Sequence, residues 1–115
     1  MNIKETICNN ITTINLCGTL DASTAPTLRN FKYATAPGNP IVINMSDLDF
    51  LDSSGLGAIV GMAREKRDQG GDVLLACLNN KVRKVFEITQ VYRLFDIYDD
   101  VEAATLHAEK KQGRL

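Results

Sequence analysis

Two short runs rich in β-branched residues open the chain, Ile3 to Asn9 and Ile11 to Cys17, and the Asn9-Asn10 junction between them suits a tight hairpin. Two antiparallel strands are expected there. Ser23 or Thr24 stands where a helix cap belongs, Pro26 falls in the first turn, and Leu28, Phe31 and Thr35 recur at helical spacing until Ala36-Pro37-Gly38-Asn39-Pro40 stops them. Ile41 to Met45 is a nearly continuous apolar run, the pattern of a strand covered on both faces and therefore of a parallel or mixed sheet. A second helix is predicted from about Ser53 to Gln69, ending at Gly70-Gly71, and Val73 to Leu78 reads as another buried strand. Asn79 or Asn80 caps a third helix with Val82, Val85, Phe86 and Thr89 inward, and Phe95 to Tyr98 gives a final strand. Asp99 and Glu102 are spaced as a capping box for a last helix to about Lys110, with a frayed tail over 111–115. The order β-β-α-β-α-β-α-β-α implies right-handed crossovers onto a mixed, mostly parallel sheet flanked by helices.

Length sets the scale: 115 residues make one domain, expected to span 1–115. With 44% hydrophobic and 23% charged residues, the chain carries enough apolar material to build a core. Thirteen basic against 14 acidic residues leave a net charge of −1 and no basic field to neutralise a row of phosphates, which argues against nucleic acid as a partner. The longest apolar stretch, Leu56 to Ala63, falls far short of the roughly 20 residues that span a bilayer, and Met1 to Glu5 does not begin a signal peptide. No membrane partner is expected, and the cytoplasm is the expected location. Cys8, Cys17 and Cys77 are far apart and without a C-x-x-C, so they read as buried small hydrophobes rather than as a metal site or disulfide framework.

The informative stretch is Asp47-Leu48-Asp49-Phe50-Leu51-Asp52-Ser53-Ser54-Gly55-Leu56-Gly57, between a buried strand and a helix start. A nucleophile elbow needs glycine two residues before its serine, where Leu51 and Asp52 stand, and its imidazole base would have to be His107, alone in the last helix. A phosphate cradle lacks its Gly-Lys-Ser or Gly-Lys-Thr. Gly55, Gly57 and Gly61 come closer to a dinucleotide fingerprint, yet about seven residues separate them from the expected strand, and no acidic residue follows for a ribose. What remains is a hydroxyl at a helix start: Ser53 can cap the helix by accepting a backbone N–H, either as its whole role or as part of a function.

Two features favour a function. The first two turns of this helix are apolar or small nearly all round: Leu56, Ile59, Val60 and Ala63 can face the sheet, which leaves Gly57, Ala58, Gly61 and Met62 as a low-relief surface, or as a tightly packed one. A phosphate on Ser53 would gain about 0.3–1 kcal/mol from the helix dipole and so need not melt the helix. Its charge of about −1.5 to −2 would repel a partner carboxylate about 6 Å away by on the order of 3 kcal/mol per unit charge at an effective dielectric near 20. Repulsion exceeds the dipole gain, so docking could be switched off with the fold intact.

Gly18-Thr19-Leu20-Asp21 at the end of the second strand, Asp52-Ser53-Ser54-Gly55-Leu56-Gly57 at the second helix, and Gly70-Gly71 before the next strand together resemble the STAS domain. More narrowly, the chain is similar to the free-standing bacterial anti-sigma-factor antagonists, over nearly its whole length. The resemblance implies a mixed sheet flanked by helices, no catalytic activity and no cofactor. It also implies partner switching: the unmodified protein captures an ATP-dependent serine kinase of histidine-kinase-like fold and frees the sigma factor that this kinase holds. Phosphorylation of the serine after the aspartate, here Ser53, ends the capture until a metal-dependent phosphatase reverses it. In this family Asp21 would lie on the rim near Ser53. The expected partner-facing surface is thus Asp21, Asp52, Ser53, Ser54, Gly55, Gly57, Ala58, Gly61 and Met62. Relatives often carry a glycine after the third helix, whereas Ile88-Thr89-Gln90-Val91-Tyr92 has none, leaving that turn's conformation open. Lys81, Arg83 and Lys84 crowd a helix N-terminus and read as a solvated face or as contacts for an acidic partner. A scaffold or sensor subunit of a larger signalling assembly is the runner-up, and a small nucleotide-binding protein using Asp52 to Gly61 is the rival from another class.

Overall fold

The computed structural model describes residues 1–112, and the rest of the expected frayed tail, 113–115, lies outside the described residues. Its sheet has five strands in the order β1-β2-β3-β4-β5: β1 (Asn2–Cys8), β2 (Ile11–Leu20), β3 (Ile41–Leu51), β4 (Val73–Ala76) and β5 (Asp96–Tyr98). Only β1 and β2 are antiparallel; the remaining pairs are parallel, so the sheet is mixed and mostly parallel as expected. Asn9 and Asn10 turn the hairpin with φ of 50° and 64°, a left-handed conformation that asparagine tolerates well.

Alternation along the buried strands divides the core in two. Ile41 and Ile43 of β3 and Val73 and Leu75 of β4 pack beneath α1 (Ala25–Arg29), α2 (Ser53–Asp68) and α3 (Asn80–Ile88), while Val42, Leu74 and Ala76 face α4 (Val101–Gln112) through Ala104 and Ala108. β4 and the first half of β3 are therefore covered on both sides, which is why Ile41–Val42–Ile43 and Val73–Ala76 read as continuous apolar runs.

Several boundaries depart from the expectation. β3 runs on to Leu51 because two irregularities in its pairing with β2 absorb extra residues, between Asn15 and Cys17 and between Gly18 and Thr19, and leave Ser46, Asp47 and Asp49 exposed within a strand. α1 stops at Arg29 instead of reaching Thr35, since the segment after it is held by distant side chains: the Glu5 carboxylate accepts the Ala34 N–H at 3.1 Å, and Lys66 Nζ donates to the Ala36 carbonyl at 2.9 Å. β4 ends at Ala76, just before Cys77 turns to φ 63°, and Asp100, not Asp99, accepts the Ala103 N–H at the start of α4. α4 continues through Gln112, and Lys111, expected in the tail, bridges Asp72 at 2.7 Å and Asp96 at 3.0 Å. After α3, Gln90 takes φ 60°, supplying the left-handed turn without a glycine. The cysteines are not three buried hydrophobes: Cys8 and Cys77 are half-buried and Cys17 is exposed, on β2 beyond the reach of α4. Among the described residues no helix is long and apolar enough to cross a membrane.

Candidate functional site

The site forms where β2 and β3 end and α2 begins. Asp52 is the N-cap of α2, with extended backbone, and its carboxylate accepts the Gly55 N–H at 2.9 Å. Ser53 was the expected cap; because β3 reaches Leu51, the cap falls one residue earlier and Ser53 becomes the first helical residue, exposed to solvent. Its hydroxyl is thereby released from capping.

The end of β2 is fastened to this turn from the other side. The Asp52 N–H donates to the Leu20 carbonyl at 3.3 Å, and the first turn of α2 then passes directly over that carbonyl. A Cβ at Gly55 would sit 2.3 Å from the Leu20 carbonyl oxygen, so only glycine lets the helix come this close. The contact fixes Leu20 against Asp52 and Gly55, and Asp21 is the next residue along the chain at that rim. Asp21 is itself tightly held: its carboxylate accepts the Ser23 hydroxyl at 2.6 Å and the Ser23 and Thr24 N–H groups at 2.9 and 3.2 Å. The Ser23 hydroxyl is the main cause that keeps the Asp21 carboxyl below its ordinary pKa, against the opposing effect of desolvation and with help from the Ser23 and Thr24 N–H groups. The rim is anionic.

The expected partner-facing residues divide by burial. Ser53, Gly57 and Gly61 are exposed and lie four residues apart, forming one stripe along α2, with Asp52 and Ser54 half-buried beside it. Gly55, Ala58 and Met62 are not exposed on that stripe: Gly55 packs on Leu20, and Ala58 and Met62 are buried against the core that α1 completes, at 1% and 9% exposure, touching only the lining of the groove beside it. The first turns of the helix are apolar or small nearly all round because they are buried on two sides, by the sheet and by α1 with the segment after it. An open groove of ≈ 750 Å³ runs beside the stripe, lined by Arg29, Lys32, Tyr33, Gly61 and Glu65 among others. Lys81, Arg83 and Lys84 stand apart on α3, whose Asn79 cap donates through its amide to the Leu48 carbonyl at 2.7 Å, and none of the three makes a salt bridge among the described residues.

Sequence reading missed two neighbours of the site. Arg29 at the end of α1 lies over Gly57, its Nη2 3.9 Å from where a Cβ there would be, and Phe50 presents 51% of its surface at the end of β3. Arg29 is carried to α2 by helix packing alone, which leaves no local trace in the sequence; Phe50 carried a signal, an aromatic side chain between two aspartates.

The STAS domain family model matches residues 2–104. The chain belongs to the STAS domain family. It is similar to the anti-sigma-B factor antagonist of Bacillus subtilis (strain 168), at 33% identity over 100 residues, covering 84% of this chain and 92% of that one. Among solved structures it resembles the anti-sigma factor antagonist SpoIIAA in its unphosphorylated form, at 25% identity and TM-score 0.68, covering 95% of this chain and 98% of that one. The phosphorylated form of the Bacillus cell fate determinant SpoIIAA matches at 27% identity and TM-score 0.64, covering 89% and 96%. The STAS fold places the cap, serine and rim on the edge formed by the strand C-termini, where loops and helix starts are free of the core.

Proposed function

We propose that this STAS protein is an anti-sigma factor antagonist acting in the cytoplasm, with Ser53 as its phosphorylation switch. The observation that carries the reading is the division of labour at the start of α2. Asp52 caps the helix, so the adjacent Ser53 hydroxyl stands exposed at the first helical position, where the helix dipole favours a phosphate. The similarity to SpoIIAA, solved in unphosphorylated and phosphorylated forms, supports the same assignment.

Unmodified, the flat stripe Ser53–Gly57–Gly61 with Asp21, Asp52 and Ser54 on its rim docks on an anti-sigma serine kinase, and the sigma factor is released. The kinase then transfers the γ-phosphoryl group of its ATP: the bond from phosphorus to the ADP oxygen breaks, a bond to Ser53 Oγ forms, and the hydroxyl proton leaves to a base on the kinase. Magnesium, nucleotide and base all come from the partner. The new dianion joins the Asp21 and Asp52 carboxylates, and the docking face becomes repulsive to acidic groups across the interface. A metal-dependent phosphatase restores the hydroxyl by hydrolysis. The dinucleotide alternative loses its first glycine to packing, since Gly55 is pressed on Leu20 and has no room for a pyrophosphate.

The test is capture from native lysate by wild type, Ser53→Ala and Ser53→Asp, with intact-mass mapping of the recovered protein. A kinase is expected with the first two and depleted at least tenfold with the third, and Ser53 is expected to carry the phosphate. Equal capture by all three, with no phosphate on Ser53, overturns the reading.

A further inference from the structure

We propose that Arg29 is the internal partner of phosphorylated Ser53, folding the phosphate down onto the docking stripe instead of leaving it erect in solvent. The inference rests on the assignment of Ser53 as the switch and adds how the modified state is held.

Four observations carry it. Ser53 and Gly57 are one helical turn apart on the same face of α2, a separation of about 5–6 Å between Cβ positions. Arg29 Nη2 already lies 3.9 Å from the Cβ position of Gly57. Together these put the guanidinium within about 10 Å of the Ser53 Cβ even before either side chain moves. Arg29 is exposed and pairs with no carboxylate among the described residues, so turning toward a phosphate breaks no ion pair. Finally, Asp52 precedes Ser53 and Asp21 follows the Leu20 carbonyl to which the Asp52 N–H is bonded, so two carboxylates belong to this turn before modification; a dianion added there gains from a cation, and helix packing brings Arg29 to the same face.

Arginine suits the task, because its planar fork donates two parallel hydrogen bonds to phosphate oxygens. Its position over Gly57 sets the direction of the phosphate: along α2 toward the second turn, across the surface that the partner would use. The modified state therefore blocks the stripe as well as charging it.

The test uses the full chain with phosphoserine installed at position 53 by an expanded genetic code, so that no kinase is required. In ¹H–¹⁵N spectra the Arg29 Nε–Hε cross-peak is expected to move downfield and exchange slowly in the phosphorylated chain. Thermal melts make the second readout. In wild type phosphorylation is expected to leave Tm unchanged or higher, whereas in Arg29→Gln it lowers Tm by about 3 °C, a gap that closes in 0.5 M NaCl. An Arg29 cross-peak indifferent to phosphorylation, together with equal Tm shifts in wild type and Arg29→Gln, overturns the proposal and leaves Ser53 as a switch. An unmodified Ser53 in protein recovered from its own cells would overturn the switch and leave this contact measurable.

Discussion

At its C-terminal end α2 is fastened by long side chains reaching distant residues. Lys66 is fully buried, with Nζ donating to the Ala36 carbonyl and standing 4.9 Å from the Tyr33 ring centroid. Arg67 bridges Asp72 at 2.9 Å, donates to the Leu94 carbonyl and stacks over Phe95, while the Gly70 and Gly71 N–H groups close the last turn on Arg67 and Lys66. At the N-terminal end the same helix is held by short contacts instead: the Asp52 side-chain cap, the Asp52-to-Leu20 backbone bond, Gly55 pressed on the Leu20 carbonyl, and Leu56 and Ile59 buried in the core beneath. The side chains beyond that point are small or absent on the solvent side. Long-range side-chain anchors sit at the end away from the proposed switch, and the end that carries Ser53 gets its position from anchors that leave its surface bare. A phosphate can therefore arrive there without displacing a side chain that the fold depends on.

The hardest way to break this contrast is Gly55→Ala. A Cβ 2.3 Å from the Leu20 oxygen and 2.7 Å from its side chain cannot be absorbed by a rotamer change, so α2 must lift from β2. Overpacking of this kind costs about 2–3 kcal/mol, and the lifted turn carries Ser53 away from Asp21. Urea unfolding is expected to show the loss, and capture of the partner to fail with it. An unfolding midpoint equal to wild type would mean that the N-terminal end is not positioned by backbone contact.

The element order was legible from periodicity, and so was the start of α2 at Asp52-Ser53-Ser54-Gly55, because a helix start of this kind is a local pattern. What escaped was set by contacts between distant residues. The irregular pairing of β2 and β3 hid the second half of β3 behind exposed aspartates, which moved the cap from Ser53 to Asp52. Glu5 and Lys66 supply hydrogen bonds to a segment whose own sequence reads as helix. Ala58 and Met62 looked free because a single hydrophobic face was assigned to α2, and α1 covers a second one. Arg29 drew no notice for the converse reason: nothing in its own neighbourhood of the sequence points at Ser53.

At the fastened end, Asp72→Asn tests whether the anchor is electrostatic. Asp72 is partly desolvated, which raises its pKa, but hydrogen bonds from Lys111, Arg67 and the Val73 N–H outweigh this and leave it below the ordinary value. Lys111 is raised, chiefly by its hydrogen bond to Asp72. A carboxyl depressed in the folded state stabilises at pH above its unfolded pKa and loses that contribution as pH falls through the folded value. A raised lysine stabilises below its unfolded pKa and loses its contribution as pH rises through the folded one. Wild type is thus expected to weaken below about pH 4 and again above about pH 10.5, whereas Asp72→Asn is about 1 kcal/mol less stable between those limits and has a shallower acid limb. A Tm profile against pH checks it. Identical acid limbs would move the anchoring of α2 from these charges to Lys66 and the glycine turn.

The smallest expected change is the sharpest probe of the bare end. Gly61 is exposed, and a Cβ there meets nothing within 4 Å. Alanine in its place removes the entropy cost of a mid-helix glycine and is expected to stabilise the fold by about 0.5–1 kcal/mol, read as a higher urea midpoint. A change that helps the helix and touches no neighbour can harm only what lies against it from outside. Capture of the partner by Gly61→Ala is therefore expected to fall while stability rises. Should both rise, the stripe ends at Gly57 and the docking surface is confined to the first turn of α2; should stability fall, that region of α2 is packed against something that its exposure does not show.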